Sequence, residues 1–321
     1  MEIAVLSYYS GWVSRGVETF VTELNQRVKR NIHLTVYSRE KNSTETIKEF
    51  SQITLASLAK NPPDILMPLN NGWMSYLAKL FCYKYPTKLI LAGFAGIGLI
   101  DAFNLWLFPD RFICCTQAQA SWAKTVNPWA KLTVIPIGVN TDRFKPEGKK
   151  FPLKLTPPIV LCVAGPDPYK QVHLVIKAVS LLKNFSLLVV GRQSQAINSL
   201  GNKLLGSRYQ NLLVEYQQLD QVYRAVNLFT LPSAKNEAYG IAILEALASG
   251  LPVVVNDDPI RRELAGSVGV YLNPADIVVY SQAIKNSLFL NKDRLIFRRQ
   301  ALKFSWDKII NQYQNLWRSL V

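Results

Sequence analysis

Along the first half of the chain, short apolar runs alternate with longer stretches in which apolar residues recur every three or four positions. The short runs predict strands at Ile3–Tyr8, Ile32–Tyr37, Asp64–Pro68, Leu89–Phe94, Arg111–Thr116 and Lys131–Pro136. The recurrent stretches predict helices at Val17–Arg30, Thr44–Ala59, Trp73–Tyr83 and Ala118–Val126. In the first of these helices Val17, Phe20, Val21, Leu24 and Val28 share one side, and Arg27, Lys29 and Arg30 lie opposite. Strand and helix alternating in this way is the pattern of a parallel sheet covered by helices.

Residues 137–157 break the alternation with Gly, Pro and charges, which predicts the interdomain linker there. A second series follows, with strands at Ile159–Ala164, Ser186–Val190, Leu212–Tyr216, Leu228–Pro232, Pro252–Asn256 and Val268–Leu272. Two Rossmann-like halves of similar size result, residues 1–150 and 151–303. The 321 residues suit two domains, because single cores stop growing below this length. The tail from Arg294 to Leu320 predicts one or two helices carrying Phe304, Trp306, Ile309, Ile310, Tyr313 and Trp317. Ligands of such sheets bind beyond the carboxyl ends of the strands, so the default site is a cleft between the halves.

Leu89 to Phe108 is about as long as a membrane-spanning helix, which takes roughly 20 apolar residues. It holds Asp101, Asn104 and three glycines, and Pro109-Asp110 follows at once. It is expected to be a buried strand, a glycine loop and a short helix.

Composition adds a charge argument. Lys and Arg number 37 against 22 acids, a net charge of +15. The excess is spread over both halves, which suits an anionic partner such as a phosphorylated ligand or an anionic leaflet. Nucleic acid is disfavoured, since no helix-turn-helix, zinc finger or RNP-like aromatic strand is recognisable. Cys82, Cys114, Cys115 and Cys162 have no CxxC spacing, and His33 and His173 are the only histidines, so no metal is expected. Met1-Glu2 runs straight into an apolar strand without a basic stretch or cleavage site, so no signal peptide is expected. These features favour a reducing cytoplasm.

The most informative stretch is Ser233-Ala-Lys-Asn-Glu-Ala-Tyr-Gly-Ile-Ala-Ile-Leu-Glu-Ala-Leu-Ala-Ser-Gly-Leu-Pro-Val254. It starts at a strand end and becomes helical near Gly240, with Ile241, Leu244, Leu247 and Ala248 on the apolar face. Glu245 stands inside this otherwise uncharged helix, where a lone carboxylate is costly unless hydrogen-bonded. Glu237 precedes the helix, near the unpaired N–H groups of the first turn. With Gly240 allowing close approach, that turn is also a diphosphate site.

Glu237 and Glu245, with Pro232-Ser233 before, Tyr239-Gly240 between and Ala-Leu-Ala-Ser-Gly-Leu-Pro-Val-Val after, resemble the E-x7-E signature of GT4-type retaining glycosyltransferases. Ile135-Pro-Ile-Gly-Val-Asn-Thr-Asp-Arg-Phe-Lys-Pro146 is similar to that family's interdomain segment, and Pro168-Tyr-Lys170 with Val172 and Leu174 to its phosphate turn. Ser14-Arg-Gly-Val-Glu18 resembles a shortened glycine loop, and Phe304-Ser-Trp306 the entry to its C-terminal helix. The resemblance implies the GT-B fold: two Rossmann-like α/β domains facing across a cleft, with residues 304–321 crossing back onto the first.

It also implies roles. Glu245 would bind the nucleotide ribose, and Glu237 hydroxyls of the donor sugar. Backbone at Tyr239, Gly240 and Ile241 would meet the diphosphate, and Lys170 would neutralise the leaving phosphates. An independent argument supports Lys170, since a cation at a helix start opposes the helix dipole unless an anion is near. The chain departs from the pattern at three places. The Arg usual before that Lys is replaced by Gly165 or Pro166, and Arg192, or Arg15 beside Gly16, could replace the charge. Phe94 stands where a His is usual, and Ala238 where a Gly is common.

The implied substrates are a UDP- or GDP-hexose and a saccharide or lipid-linked acceptor, with no cofactor and no metal. The acceptor would lie against the first domain, near Ser10–Gly16 and Gly93–Asp101, including Phe94, Gly96 and Asp101. The basic face of the first helix, with Trp12, Trp73 and Trp106 exposed, would suit peripheral contact with anionic lipid. The alternative is a catalytically silent GT-B protein that binds nucleotide or partners.

Overall fold

The computed structural model describes residues 1–12, 16–29, 31–234, 237–289 and 293–321. The chain divides into two compact units, residues 1–138 with 306–321, and residues 139–305.

In the first unit the elements run β1 (Glu2–Leu6), α1 (Gly16–Arg27), β2 (His33–Tyr37), α2 (Ile47–Leu58), β3 (Ile65–Pro68), α3 (Trp73–Lys84), β4 (Lys88–Ala92), α4 (Leu99–Trp106), β5 (Arg111–Cys114), α5 (Gln117–Val126) and β6 (Leu132–Val134). The strands form one parallel sheet in the order β2-β1-β3-β4-β5-β6, with Ile3 of β1 opposite Leu34 and Ile65. Both faces are buried, so the strands read as continuous apolar runs rather than alternating ones. One face, with Ile3, Val5, Met67 and Ile113, packs on Phe20, Val21 and Leu24 of α1. The other, with Leu6, Leu66, Leu91 and Phe112, packs on α2, α3, α4 and α5 through Phe50, Met74, Leu105 and Ala123. The apolar run from residue 89 to 108 is split into β4, a loop and α4, as expected. Among the described residues no helix is long and apolar enough to cross a membrane.

The second unit runs β7 (Ile159–Val163), α6 (Val172–Ser180), β8 (Ser186–Val190), α7 (Gln195–Leu205), β9 (Tyr209–Leu212), α8 (Leu219–Ala225), β10 (Leu228–Leu231), α9 (Ile241–Ala248), β11 (Val253–Asn256), α10 (Pro259–Ala265), β12 (Val270–Leu272), α11 (Ile277–Phe289) and α12 (Arg294–Ala301). Its parallel sheet has the order β12-β11-β10-β7-β8-β9. The α/β class expected from the alternation is therefore present in both units.

Two expectations are corrected. The strand expected at Leu212–Tyr216 lies instead at Tyr209–Leu212, on the sheet edge. Side chains hold this register: the Asn211 amide donates to the carbonyls of Val189 (3.0 Å) and Gly191 (2.8 Å). The second correction moves the unit boundary from 150/151 to 138/139, because the polar segment after Gly138 belongs to the second unit. Two arginines collect its carbonyls. Arg224 donates to Lys149 (2.9 Å) and Arg143 (3.2 Å), and Arg298 to Phe144 and Thr141 (both 2.9 Å). Phe144 is buried against Tyr223. The composition of a linker thus conceals an ordered strap.

The last helix, α13 (Trp306–Arg318), joins the first unit. Trp306, Ile309, Ile310, Tyr313, Leu316 and Trp317 complete the core on the α1 side of the sheet, and Tyr313 and Trp306 lie against Phe20. Gly138 is needed beneath it. A Cβ there would stand 2.6 Å from the Trp306 ring.

Candidate functional site

In the second sheet the chain runs β7 to β8 to β9 in one direction, then returns to β10 beside β7 and continues the other way. That reversal is the switch point at which loops leaving the carboxyl ends of adjacent strands diverge and open a crevice. Of the residues singled out from the sequence, Gly165, Lys170, Glu237, Tyr239, Gly240 and Ile241 lie on the segments that follow β7 and β10.

After β7 the chain passes Gly165 and makes a single helical turn, Pro168–Lys170. Gln171 caps α6 in the left-handed region at φ 50°. The loop after β10 is tied to this turn, since the Ala234 N–H donates to the Tyr169 carbonyl at 2.7 Å. Lys170 Nζ forms an ion pair and hydrogen bond with Glu237 Oε2, and both side chains are largely buried. Tyr239 is buried, and Gly240 adopts φ 92° as it turns the backbone into α9. A side chain there would be strained. Ile241 opens α9, so the first-turn N–H groups face the same loop cluster.

Glu245, one turn further along α9, is also buried. Tyr223 of α8 donates to its Oε2 at 2.9 Å. Burial, and then the adjacent Glu245 charge, raise the Tyr223 phenol well above its ordinary value, so it acts as a fixed donor. The carboxylate that looked costly in the sequence is thus supported by a hydroxyl from a neighbouring helix.

Arg261, like Tyr223, is a site residue that sequence reasoning missed. It lies on α10 and is 1% exposed. Its Nη1 donates to the Glu237 carbonyl at 3.5 Å and stands 3.2 Å from Asp258 Oδ2. That ion pair is poorly aligned for a hydrogen bond, and Oδ2 has no hydrogen-bond partner among the described residues. Nε and Nη2 of Arg261 likewise have none. A buried guanidinium with two unmet donors is an energetic liability unless an anion meets them. The only sequence signal was the pair Arg261-Arg262, and its second member points outward to Asp257 at 2.6 Å. Arg192, proposed as replacement charge, is exposed on the loop after β8. Its neighbour Gln193 donates to the Ala164 carbonyl at 2.8 Å and braces the Gly165 turn. Arg15 lies outside the described residues, and Gly16 is exposed at the start of α1.

In the first unit the loop after β4 carries Phe94 and Gly96. Phe94 packs edge-on against Phe20, 4.8 Å between centroids. Asp101 is fully buried, so it cannot touch an acceptor directly. It accepts from Asn104 and Gln119, each at 3.3 Å, and from the N–H groups of Gly96 and Ala95. Gln119 also donates to Gly93 at 2.6 Å and accepts from the Cys115 N–H at 2.7 Å. Burial raises the Asp101 carboxyl to about 7. It is therefore a clamp that shapes the loop.

Trp12 is not the exposed ring the sequence suggested; it is half-buried under the Arg39 guanidinium, 4.4 Å from the ring centroid. Nor does the basic side of α1 share a surface with Trp73 and Trp106, because α1 covers the opposite face of the sheet. Burial pushes the Cys82, Cys114 and Cys162 thiols up to about 12, so none is a ready nucleophile. Among the described residues no group of three or more His, Cys, Asp or Glu could hold a metal ion.

Comparison with known proteins bears on the family and the fold. The family model described as "Glycosyl transferases group 1" matches residues 144–304. The O-antigen chain mannosyltransferase RfbU of Salmonella typhimurium is 29% identical over 175 residues, covering 52% of this chain and 47% of that protein. The chain spans about half the length, or less, of the curated relatives it matches. Among solved structures, sucrose-phosphate synthase from Thermosynechococcus elongatus superposes with a TM-score of 0.83 at 18% identity, over 99% of this chain and 98% of that one. Anabaena HepE in complex with UDP-glucose does so with a TM-score of 0.76 at 14% identity, over 99% and 100%. The switch-point crevice, the paired buried carboxylates, the family match over half the chain and the GT-B likeness over nearly all of it lead to one assignment: the chain belongs to the glycosyl transferases group 1.

Proposed function

We propose that this protein is a retaining glycosyltransferase that moves a hexose from a UDP- or GDP-linked donor to a lipid-linked or saccharide acceptor, on the cytoplasmic side of a membrane. The observation that carries the reading is the largely buried Lys170–Glu237 pair at the switch point of the second sheet, with Arg261 on the Glu237 carbonyl and Glu245, held by Tyr223, on the helix that follows. Relatives named mannosyltransferases, and a structural neighbour solved with UDP-glucose, support a nucleotide-linked donor.

In this mechanism Glu245, steadied by Tyr223, binds the ribose, and Glu237 the hydroxyls of the sugar. Lys170, now paired with Glu237, and Arg261 face the diphosphate together with the first turn of α9. Charge builds on the leaving phosphate as its bond to the anomeric carbon breaks. These prepositioned donors absorb that charge without reorganisation. The acceptor hydroxyl attacks from the same face, its oxygen bonds to the anomeric carbon, and its proton passes to the departing phosphate. The protein's own cations supply the charge, so the reaction needs no metal, and a chelator should leave the rate unchanged.

Incubating the purified protein with UDP- and GDP-sugars and following donor hydrolysis tests the proposal. One donor should turn over slowly without acceptor. Gly165 or Pro166, where the family usually has an Arg, and Phe94, where it often has a His, favour a silent nucleotide binder as second reading. Tight UDP or GDP binding with no turnover of any donor would establish that alternative.

A further inference from the structure

The first unit carries a surface that the transfer chemistry leaves unused. On α3, Trp73, Tyr76, Leu80 and Tyr83 follow one another at helical spacing on the side away from the sheet, and Trp73 and Tyr83 are 55% and 75% exposed. The opposite side of the same helix, through Met74, Ala78 and Phe81, is in the core. On α4, Leu99, Ile100, Phe103 and Trp106 are exposed as well, Leu99 to 90%. The two helices are joined into one surface. Lys79 Nζ donates to the Phe108 carbonyl at 2.8 Å, and Asn104 donates to Asn71 at 2.7 Å. Trp106 lies 5.8 Å from Phe108 and 6.5 Å from Trp129, ring to ring. Phe108 holds its exposed ring at φ 48°, in the left-handed region. Non-glycine residues rarely adopt that conformation, and no core packing of the ring offsets it.

Monomeric proteins rarely expose an apolar patch of this kind without a use for it. Its charges indicate what covers it. Between Trp73 and Asp110 the chain has Lys79, Lys84 and Lys88 against two acids, Asp101, which is buried, and Asp110, which pairs with Lys88 at 3.5 Å, so Lys79 and Lys84 have no acid within that stretch to offset them. Lys48 of α2 stands 4.5 Å over the Trp73 ring, and Lys79 stands 4.6 Å over Tyr83. Protein–protein interfaces are depleted in lysine. Helices that lie in a bilayer interface combine Trp, Phe and Leu with lysine, the rings at headgroup depth and the ammonium groups on anionic lipid.

We propose that the α3–α4 face docks the protein on an anionic lipid bilayer. The helices lie flat, Leu99 and Trp106 enter the acyl boundary, and Lys48, Lys79 and Lys84 meet the headgroups. The surface deepens the lipid-side part of the proposed function, and the two fail separately. Donor turnover without vesicle binding would end the docking proposal and leave transfer standing, and vesicle binding without turnover would do the reverse.

The test is flotation of the full chain with phosphatidylcholine vesicles, plain or containing phosphatidylglycerol. Wild-type protein should float with the anionic vesicles and lose binding as salt is raised. Leu99→Glu with Trp106→Ser should bind at least tenfold more weakly, and Lys79→Gln with Lys84→Gln about fivefold more weakly per lysine. The substituted apolar side chains are at least half exposed, so thermal melting should not change. Equal binding by wild type and the Leu99/Trp106 variant would refute the proposal, as would wild type that floats with neither vesicle. So would a dimer, seen by sedimentation, that the same substitutions dissociate and that ignores vesicles, since the occupant would then be a second copy.

Discussion

Replacing Arg261 by Met separates a ligand-binding role from a structural one, because the two predict opposite effects on stability. The substitution makes the side chain apolar at similar reach, and removes two buried donor nitrogens, Nε and Nη2, that have no partner among the described residues. Each unmet buried donor costs about 1–3 kcal/mol. Against that relief stands the lost attraction to Asp258, 3.2 Å away. Asp258 keeps a second support, since it caps α10 by accepting the Arg261 N–H at 3.0 Å. Uncompensated burial of its charge is therefore avoided, and the variant should melt within about 1–2 kcal/mol of wild type or above it. Nucleotide affinity should move the other way. A guanidinium that meets a diphosphate makes charge-assisted hydrogen bonds of roughly 1.5–3 kcal/mol, so UDP or GDP should bind about ten- to a hundredfold more weakly. Denaturant unfolding of the apo protein and calorimetric titration with the nucleotide read the two quantities independently. Arg261→Lys keeps the charge but not the planar fork, and should fall between them. A Met variant that loses more than about 3 kcal/mol of stability while binding nucleotide as well as wild type would show Arg261 to be a strut between α10 and the Glu237 loop.

Three further outcomes are expected. Glu245→Ala should lose nucleotide affinity, while Glu237→Ala should chiefly lose transfer rate; small, equal effects in steady-state kinetics and titration would contradict the roles. Asp101 is raised from 3.8 to about 7 by burial, so its neutral form is favoured in the folded state. Its contribution to stability is complete below pH 3.8 and is lost as pH rises through about 7. The difference is on the order of 4 kcal/mol. Asp101→Asn should flatten urea midpoints measured across that range, and parallel curves for the two proteins would exclude the clamp. Gly138→Ala would push a methyl group into the Trp306 ring, where the built Cβ is 2.6 Å away. An unfolding free energy about 1–3 kcal/mol lower is expected, read by denaturant titration.

What the sequence made legible follows from how far each signal travels along the chain. Strand and helix alternation is local, so the parallel sheets could be read from it, and so could the nine-residue frame that holds Glu237 and Glu245. The strand expected at Leu212–Tyr216 lies at β9 because Asn211 fixes its register through carbonyls of β8 and the loop after it, 20 and 22 residues back, while the apolar Leu212–Val214 run draws the prediction forward. The ordered strap after Gly138 was invisible for a similar reason. Its carbonyls find Arg224 and Arg298, and nothing within the segment announces those partners. Arg261 and Tyr223 belong to the candidate site only through tertiary placement. One sits beside an arginine that points outward, and the other repeats at the spacing of an ordinary helix core. Trp12 shows the converse, an aromatic residue read as exposed that Arg39 covers.

The membership of α13 in the first unit has a consequence for synthesis. Residues 1–138 leave the ribosome without the helix that seals one side of their sheet, and roughly 170 residues must be translated before it emerges. At about 5–20 residues per second this interval is on the order of ten to thirty seconds. During it Phe20, Leu24 and the strand residues beneath them are open to chaperones, to aggregation and to the nascent second unit. The unit that holds residues 1–138 is completed only when α13 arrives, after the whole of the second unit.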